Sequence, residues 1–559
     1  MPPPSASSGS AQAGAFSFTT PSPDDAVRAA QAGRVPGAGL GGRGAGRGAA
    51  APPPAAAAPV VAQAAAALGR MSITPPSAAP APAAAPAGRP WSEYVPEAWE
   101  AAATAASSAP PPPLHLVCLG HVDAGKSTAM GRLLHEVGAV SAAAVASHAR
   151  GAAAAGKSSF AWAWALDERP EERARGLTVD VALARFATPM GRAVVLLDAP
   201  GHRDFVPAAL AGAARADAAV LMLDATPGAF EAGFAQPGAG AGAGGGQTRE
   251  HAALARACGV SHLIVAVNKL DTCGWAQERY DAIRAEASPA LRAAGWRDAA
   301  VTWLPLAGRE GVNLSAPVAG TAHPLASWWR GPSLLGAVDA LPPRPPPPPA
   351  PLRLPVWDLL SGGVRSLGPN AAGGKLESGA LRPGMQVLLQ PAGVIATVKA
   401  LEADGTPLAA ARAGDAVEVG LSGLADGAAL SLGTVLCSPG WAAPVAARLT
   451  ARVTVLDSRM PLLRGATVTL HVGAGREPAR VAALLTQLDP ATGEQIRARP
   501  RCLARGHAGV VEIIPERPLV AERYADCRAL GRLALREGGR TLAVGVVLDI
   551  WPEVEAATQ

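Results

Sequence analysis

The run GHVDAGKS, Gly120 to Ser127, restricts the fold of this 559-residue chain more than any other feature. It fits the pattern GxxxxGK[ST] and lies between an apolar run that reads as a buried parallel strand, Leu114 to Leu119, and a helical stretch, Ser127 to Gly138. A strand, a glycine-rich turn and a helix N-terminus together aim backbone N–H groups and a positive dipole end at a polyphosphate. In that arrangement Gly120, His121, Val122, Asp123, Ala124, Gly125 and Thr128 shape the cradle. Lys126 reaches the β and γ phosphates and the Ser127 hydroxyl holds Mg²⁺. Taken by itself, the octapeptide also suits a glycine-rich turn of purely structural use.

Three further segments follow in the order that a nucleotide site needs. DAPGH, Asp198 to His202, closes the apolar run Ala193 to Leu197, so Asp198 stands at a strand end beside the cradle and holds Mg²⁺ through water. NKLD, Asn268 to Asp271, follows a second buried run, Leu263 to Val267. With Asn268 and Lys269 beside it, its carboxylate pairs with the N1–H and 2-amino groups of guanine, a donor pair that adenine lacks. The expected ligand is GTP with Mg²⁺. Between cradle and Asp198 lies ERARGLTVDVAL, where Thr178 is a second Mg²⁺ ligand that grips the metal only while a γ-phosphate is present. Loss of that phosphate releases the segment, an order-to-disorder switch. His202, directly after the switch glycine Gly201, is placed to orient the attacking water, since phosphoryl transfer depends on positioning and electrostatics. Val122 and Leu177 read as an apolar gate in front of it, although both also suit simple packing.

GHVDAGKST, RGLTVDVAL, DAPGHRDF, QTREHAALA and NKLD together resemble the translational GTPases of the elongation factor Tu and one-alpha class. Within that class, Ser159 to Thr178, GAFEAGF (Gly228 to Phe234), GGQTREH (Gly245 to His251) and Leu530 to Val547 are similar to the branch holding the release-factor GTPase and the HBS-type ribosome-rescue GTPase. Asp204, the wording ERARGLTVDV and the tail segment Phe16 to Gln31 resemble the HBS type. That resemblance implies delivery of a tRNA-shaped partner, Pelota, to stalled ribosomes, with contacts to ribosomal RNA. The release-factor branch is the alternative, followed by an aminoacyl-tRNA carrier, a sulfate-activating regulatory GTPase and a scaffold with negligible turnover. The chain departs from the family in three places. Ala307 stands before Gly308 where the family has Ser, leaving a backbone N–H to reach the guanine O6. Gln236 to Gly244 is an Ala/Gly insertion, read as a flexible linker. VRSLGPNAAGGKLESG is rearranged relative to a tighter strand-turn-strand.

Composition bounds the remainder. Residues 1–112 are dominated by Ala, Pro, Gly and Ser and bury too little apolar surface to offset ordering entropy, so the expectation is a disordered tail. Within it, Phe16 to Gln31 and the Trp91 to Trp99 patch are the segments able to dock. No apolar run approaches the roughly 20 residues of a membrane span, and the start lacks the layout of a secretory signal. A cytoplasmic monomer that engages neither membrane nor DNA is expected, with an organellar transit peptide left open. Six scattered cysteines read as reduced thiols. From 113 to 341 apolar strands alternate with helical stretches, Phe205 to Arg215, Gln247 to Cys258 and Ala276 to Ala294. This predicts an α/β P-loop GTPase domain, doubly wound on a mostly parallel sheet. A polyproline linker, 342–351, leads to 352–445 and 446–559, whose short Val/Leu strands and Gly/Pro/Asp turns predict two antiparallel β-barrels. The last segment carries 16 Arg against 12 acids, a surplus of four out of the chain's five. Arg497, Arg499, Arg501 and Arg505 in RARPRCLAR are there to meet RNA phosphates, to meet a partner protein, or merely to face solvent.

Overall fold

A strand buried on both faces must be covered by helices on both sides, and Leu114–Gly120 (β1) is buried at all seven positions. The computed structural model describes residues 91–105, 111–157, 160–167, 172–173, 178, 181–201, 205–234, 247–343, 348–360, 366–403, 405–424, 430–456, 461–490, 492–538 and 540–552. Phe16 to Gln31, Leu177, His202, Asp204 and Gln236 to Gly244 lie outside the described residues. β1 is joined by Ala182–Ala187 (β2), Ala193–Asp198 (β3), Ala218–Asp224 (β4), His262–Asn268 (β5) and Val301–Pro305 (β6), in the order β2-β3-β1-β4-β5-β6. All pairings are parallel except that of β2, an antiparallel edge strand. Alternation along the strands splits the core in two. Val117, Leu119, Val195 and Leu197 face the helices Val206–Arg215 (α2), Gln247–Cys258 (α3) and Gln277–Ala293 (α4), which contribute Ala209, Ala252 and Ile283. Leu116, Cys118, Val194 and Leu196 face Lys126–Glu136 (α1), which contributes Met130, Leu133 and Leu134. The connections leave β1 in opposite directions, toward β3 and toward β4, which opens a crevice at the carboxyl ends of the strands.

Two antiparallel barrels follow. The first closes Gln386–Gln390, Val435–Cys437, Arg353–Leu359, Ala371–Lys375, Ala416–Ser422 and Val394–Ala403 into a ring. The second closes Thr467–Val472, Arg532–Glu537, Arg540–Trp551, Arg448–Val455, Ala508–Pro515 and Gly475–Leu488. Closure pairs the edges that an open sheet would expose. Strand Arg448–Val455 shows how the sequence achieves it: Leu449, Ala451, Val453 and Val455 point inward while Arg452 and Thr454 face out. All six cysteines are free, and Cys118, Cys437 and Cys527 are buried.

The expectation of disorder up to residue 112 needs correction at its end. Trp91–Glu93 forms a 3-10 turn and Ala98–Ala105 a helix. Trp91 packs against a cluster of Val435, Cys437, Val520 and Leu530 that spans both barrels, and Tyr94 sets its ring edge-on to Trp441 at 5.4 Å. The aromatic side chains supply the burial that the Ala/Pro-rich stretch before them lacks. At the end of the polyproline stretch Pro351 accepts a hydrogen bond from Ser378 Oγ at 2.6 Å, and Leu352, which follows it, is fully buried.

Beneath Trp91, Arg353 joins the barrels. Its Nε donates to Glu522 Oε1 at 2.7 Å and its Nη1 to the carbonyls of Leu352 and Trp441 at 2.8 and 2.9 Å. The side chains are only 2% and 4% exposed, and burial raises the Glu522 pKa while the guanidinium pulls it back. Arg353→Met leaves a buried carboxylate without its partner, so a loss of about 3 kcal/mol is expected. Calorimetry should show the barrels unfolding at a lower temperature, and an unchanged transition would remove the pair from the stability of the seam.

The GTPase domain meets the first barrel through a second buried contact. Lys375 Nζ donates to Asp217 Oδ1 at 2.9 Å and to the Arg215 carbonyl at 2.7 Å. The other Asp217 oxygen accepts from the His115 backbone N–H at 3.0 Å, and His115 Nε2 lies 3.1 Å from the Gly414 carbonyl. With the second barrel, Val206, Leu210 and Leu254 pack against Ala534, and Glu250 Oε1 accepts a hydrogen bond from the Thr541 backbone N–H at 3.2 Å.

Candidate functional site

Gly120 ends β1 at φ 149, where a Cβ would sit 2.5 Å from the Met222 carbonyl oxygen. Gly125 caps α1 at φ 84, and a Cβ there would meet Asn268 Nδ2 at 2.5 Å. Both positions need glycine, for conformation and for space. The loop between them wraps the Lys126 ammonium, which donates to the carbonyls of Gly120 and His121 at 3.2 and 2.9 Å. Burial lowers the Lys126 pKa, and Asp198 offsets part of that. Gly201 touches the same ammonium: a side chain there would collide with Nζ and come within 3.0 Å of the Val122 nitrogen. The DAPG turn is thus seated on the cradle.

A cavity of about 380 Å³ opens above these residues. Of the positions expected from sequence, Val122, Asp123, Gly125, Lys126, Ser127, Thr128, Thr178, Gly201, Asn268, Lys269, Asp271 and Gly308 line it. Gly120, His121, Ala124, Asp198 and Ala307 support it from behind. Asn268 is the knot of the base side. Its Nδ2 donates to the Ala124 carbonyl and its Oδ1 accepts from the Gly308 N–H, both at 2.8 Å, so it ties the cradle to the turn after β6. Lys269 Nζ is held by Asp224 Oδ2 at 2.8 Å, which leaves the aliphatic stem beside the cavity with Asp271. The substituted Ala307 is buried and its N–H donates to the Val312 carbonyl at 3.2 Å. The Gly308 N–H is taken by Asn268, and Gly308 and Arg309 of the same turn line the cavity.

At the phosphate end, three oxygens form a chain. Ser127 Oγ lies 3.1 Å from Thr178 Oγ1, which donates to Asp167 Oδ1 at 3.2 Å. Asp198 is fully buried and, among the described residues, neither of its carboxylate oxygens receives a hydrogen bond. The Ser127 hydroxyl stays close enough to oppose the resulting upward shift but outside hydrogen-bond geometry. An orphaned buried carboxylate among hydroxyls is an all-oxygen donor set, which fits a hard divalent cation such as Mg²⁺. Ser127, Thr178 and, through water, Asp198 would hold it. Among the described residues no group of three His, Cys, Asp or Glu side chains forms a cage of its own, in keeping with a metal completed by substrate phosphates.

Sequence reasoning missed Asp167, together with Phe160, Ala163, Thr272 and Arg309. Burial and the neighbouring Asp198 raise the Asp167 pKa to about 7, and burial raises that of Asp198 to about 6. Both folded-state values lie above the unfolded carboxyl value. Their contribution to stability is therefore present below about pH 4 and is lost as pH rises through about 6 to 7. Mg²⁺ needs the ionised form and gains over that same interval. Titration of a fluorescent GTP analogue at fixed Mg²⁺ should show affinity falling as pH is lowered from about 7.5 to about 5.5, with Asp167→Asn moving the midpoint down. An affinity that ignores pH would contradict the arrangement. His251, from the QTREH segment, is buried behind the cradle. Burial and the Lys126 ammonium push its pKa to about 3, so it adds no charge beside the phosphates. His202 and Leu177 lie outside the described residues. Val122, the other half of the expected gate, is half-buried at the cavity wall.

Comparison with known proteins agrees with this geometry. The Elongation factor Tu GTP binding domain family matches residues 113–344, and the GTP-eEF1A C-terminal domain-like family matches residues 448–548. Protein HBS1 of Drosophila melanogaster is 40% identical over 437 residues, 78% of this chain and 63% of that protein. The chain thus spans less than two thirds of the length of that relative. Elongation factor 1-alpha of Thermofilum pendens is 36% identical over 439 residues, 78% of this chain and 97% of its own length. The GTPase-like domain of Ski7 from S. cerevisiae, solved with GDP and inorganic phosphate, shares the fold at TM-score 0.62 and 17% identity, over 78% of this chain and 97% of that one.

Proposed function

Because the chain belongs to the translational GTPases of the elongation factor 1-alpha and HBS1 family, we propose that it delivers a tRNA-shaped partner of the Pelota type to ribosomes stalled on messenger RNA in the cytoplasm. The observation that carries the reading is the cavity itself. It joins a phosphate cradle, an all-oxygen metal end and a base end built on Asn268 and Asp271, in a body that continues through both barrels to the REGGRT ending. The similarity of the switch and C-terminal segments to HBS-type carriers supports rescue over termination or elongation.

In the proposed cycle Lys126 neutralises charge on the β and γ phosphates and the cradle N–H groups hold them in line. Mg²⁺, when bound, would supply further neutralisation of the phosphate oxygens. Thr178 reports the γ-phosphate, because its hydroxyl is held next to Ser127 only by weak contacts to neutral and carboxyl oxygens. His202 aligns the attacking water. In sequence Gly201 is followed by α2, whose Val206 and Leu210 pack with Leu254 against Ala534 of the second barrel. A rearrangement at Gly201 on hydrolysis that shifts α2 would move a surface shared with the barrel and release the partner. The test is GTP turnover with purified ribosomes, with a Pelota-type protein or the peptide-release factor added. Stimulation that needs the Pelota-type protein supports rescue, and stimulation by the release factor alone would reassign the chain to termination.

A further inference from the structure

Among the described residues, the sheet that forms the second barrel extends one strand beyond its closed ring. Gln495–Ala498 pairs only with the end of Gly475–Leu488, Gln487 opposite Arg497 and Thr486 opposite Ala498, and all four of its residues are exposed. Arg497 lies on this strand, and Arg499 and Arg501 follow its end, separated by Ala498 and the buried Pro500. None of the three makes an ion pair or side-chain hydrogen bond with the described residues. Arginines elsewhere in the same barrel do: Arg448 with Glu512 at 3.1 Å, Arg517 with Glu477 at 3.3 Å and Arg523 with Asp526 at 2.9 Å. The acids of the hairpin do not compensate. Asp489 is engaged in its turn, accepting the Thr492 N–H at 3.0 Å, and Glu494 forms no ion pair. Arg499 is also held at φ 44, a conformation that non-glycine residues seldom adopt, by a 2.9 Å hydrogen bond from its N–H to the Leu485 carbonyl.

Arg497 on the strand and Arg499 and Arg501 just after it place three guanidinium groups within five residues, and an anion offsets the mutual repulsion of such a cluster. We infer that this hairpin is a docking surface for the phosphate backbone of structured RNA, an inference that rests on the ribosomal setting proposed above. The planar guanidinium matches phosphate oxygens two at a time, and each contact releases counterions. Residues 485–505 contain no aromatic side chain, so bases have nothing to stack on and recognition is of the backbone rather than of sequence. Ile496 is exposed as well, but strand alternation turns it to the opposite face from Arg497, so it does not interrupt the row. An acidic protein surface is the competing occupant, and the test separates the two.

The experiment uses the full chain, a fluorescent RNA duplex of about 20 base pairs and a salt series, with no ribosome present. The triple variant Arg497→Gln, Arg499→Gln, Arg501→Gln removes side chains that make no ion pair or hydrogen bond with the described residues and lie in the second barrel, away from the nucleotide cavity, so its GTP affinity should be native. The native chain should bind the duplex. The variant should bind at least about tenfold more weakly at about 0.1 M salt, with a slope of log K against log salt shallower by about 2 to 3. Equal binding by both chains, or no binding by the native chain, overturns the inference. So does RNA binding that survives while capture of the Pelota-type protein is lost, which would make the hairpin a protein contact. Because neither ribosome nor partner enters the RNA measurement, its failure leaves the rescue reading standing, and failure of that reading leaves the RNA result intact.

Discussion

Asp271→Asn is expected to weaken GTP binding by about a thousandfold or more and to confer binding of xanthosine triphosphate. The carboxylate of Asp271 is a double acceptor at the base end of the cavity, matched to the two donors on the guanine edge. An asparagine keeps one acceptor and replaces the other with an N–H₂ group, which then faces the guanine 2-amino donor and leaves both unpaired. Losing a specific polar pair in this way costs far more than losing a methylene, because desolvated donors have no water to return to. Xanthine carries a carbonyl where guanine has that amine, so the carboxamide pairs with it through one donor and one acceptor. Displacement of a labelled nucleotide by GTP and by the xanthine analogue measures both effects. Native GTP affinity in the variant would remove Asp271 from base recognition. Lys269, with its ammonium fixed by Asp224, and Asn268, tied to Ala124 and Gly308, should keep the pocket shaped in either case.

The base and phosphate ends were legible in the sequence because their demands are local. Gly120 and Gly125 are required by the conformation of a short loop and by the strand end pressed against it, and Asp198 and Asn268 end apolar runs that read as buried strands, with Asp271 three residues beyond the second. Asp167 was not legible. It lies in an irregular stretch eleven residues before Thr178, with no periodicity to mark it, and it becomes part of the site only because Thr178 folds back onto it. Lys375 was hidden for a related reason: it ends a strand of small residues, AAGGK, and acquires its meaning from Asp217 in another domain. Trp91 and Tyr94 stood in an Ala/Pro-rich stretch whose composition argues for disorder, and their order comes from a seam that exists only once both barrels are folded. Ala307, read in the sequence as part of the guanine-contacting turn, is buried there, and its neighbours Gly308 and Arg309 line the cavity.

His202→Ala should leave GTP affinity within about twofold and slow ribosome-stimulated hydrolysis by about 10²- to 10⁴-fold, the range for loss of a positioned general acid or base. The two readouts separate because nucleotide binding rests on Lys126, Ser127 and the base end, whereas the histidine acts on the water. Single-turnover hydrolysis with saturating ribosomes and Pelota-type protein reads the second, and equilibrium titration of an analogue the first. Unimpaired stimulated turnover would take His202 out of the reaction. A parallel loss of affinity would instead make it part of the binding site, since Gly201 beside it already rests on the Lys126 ammonium.

In the proposed function the nucleotide cavity governs capture of a tRNA-shaped rescue partner. The purified full chain, loaded with a non-hydrolysable GTP analogue or with GDP, is offered in parallel a Pelota-type protein, the peptide-release factor and aminoacyl-tRNA. Retention of the Pelota-type protein in the GTP state and its loss in the GDP state, with neither of the others held, is the expected result. Retention of the release factor or of aminoacyl-tRNA instead, or capture that does not depend on the nucleotide, would contradict it.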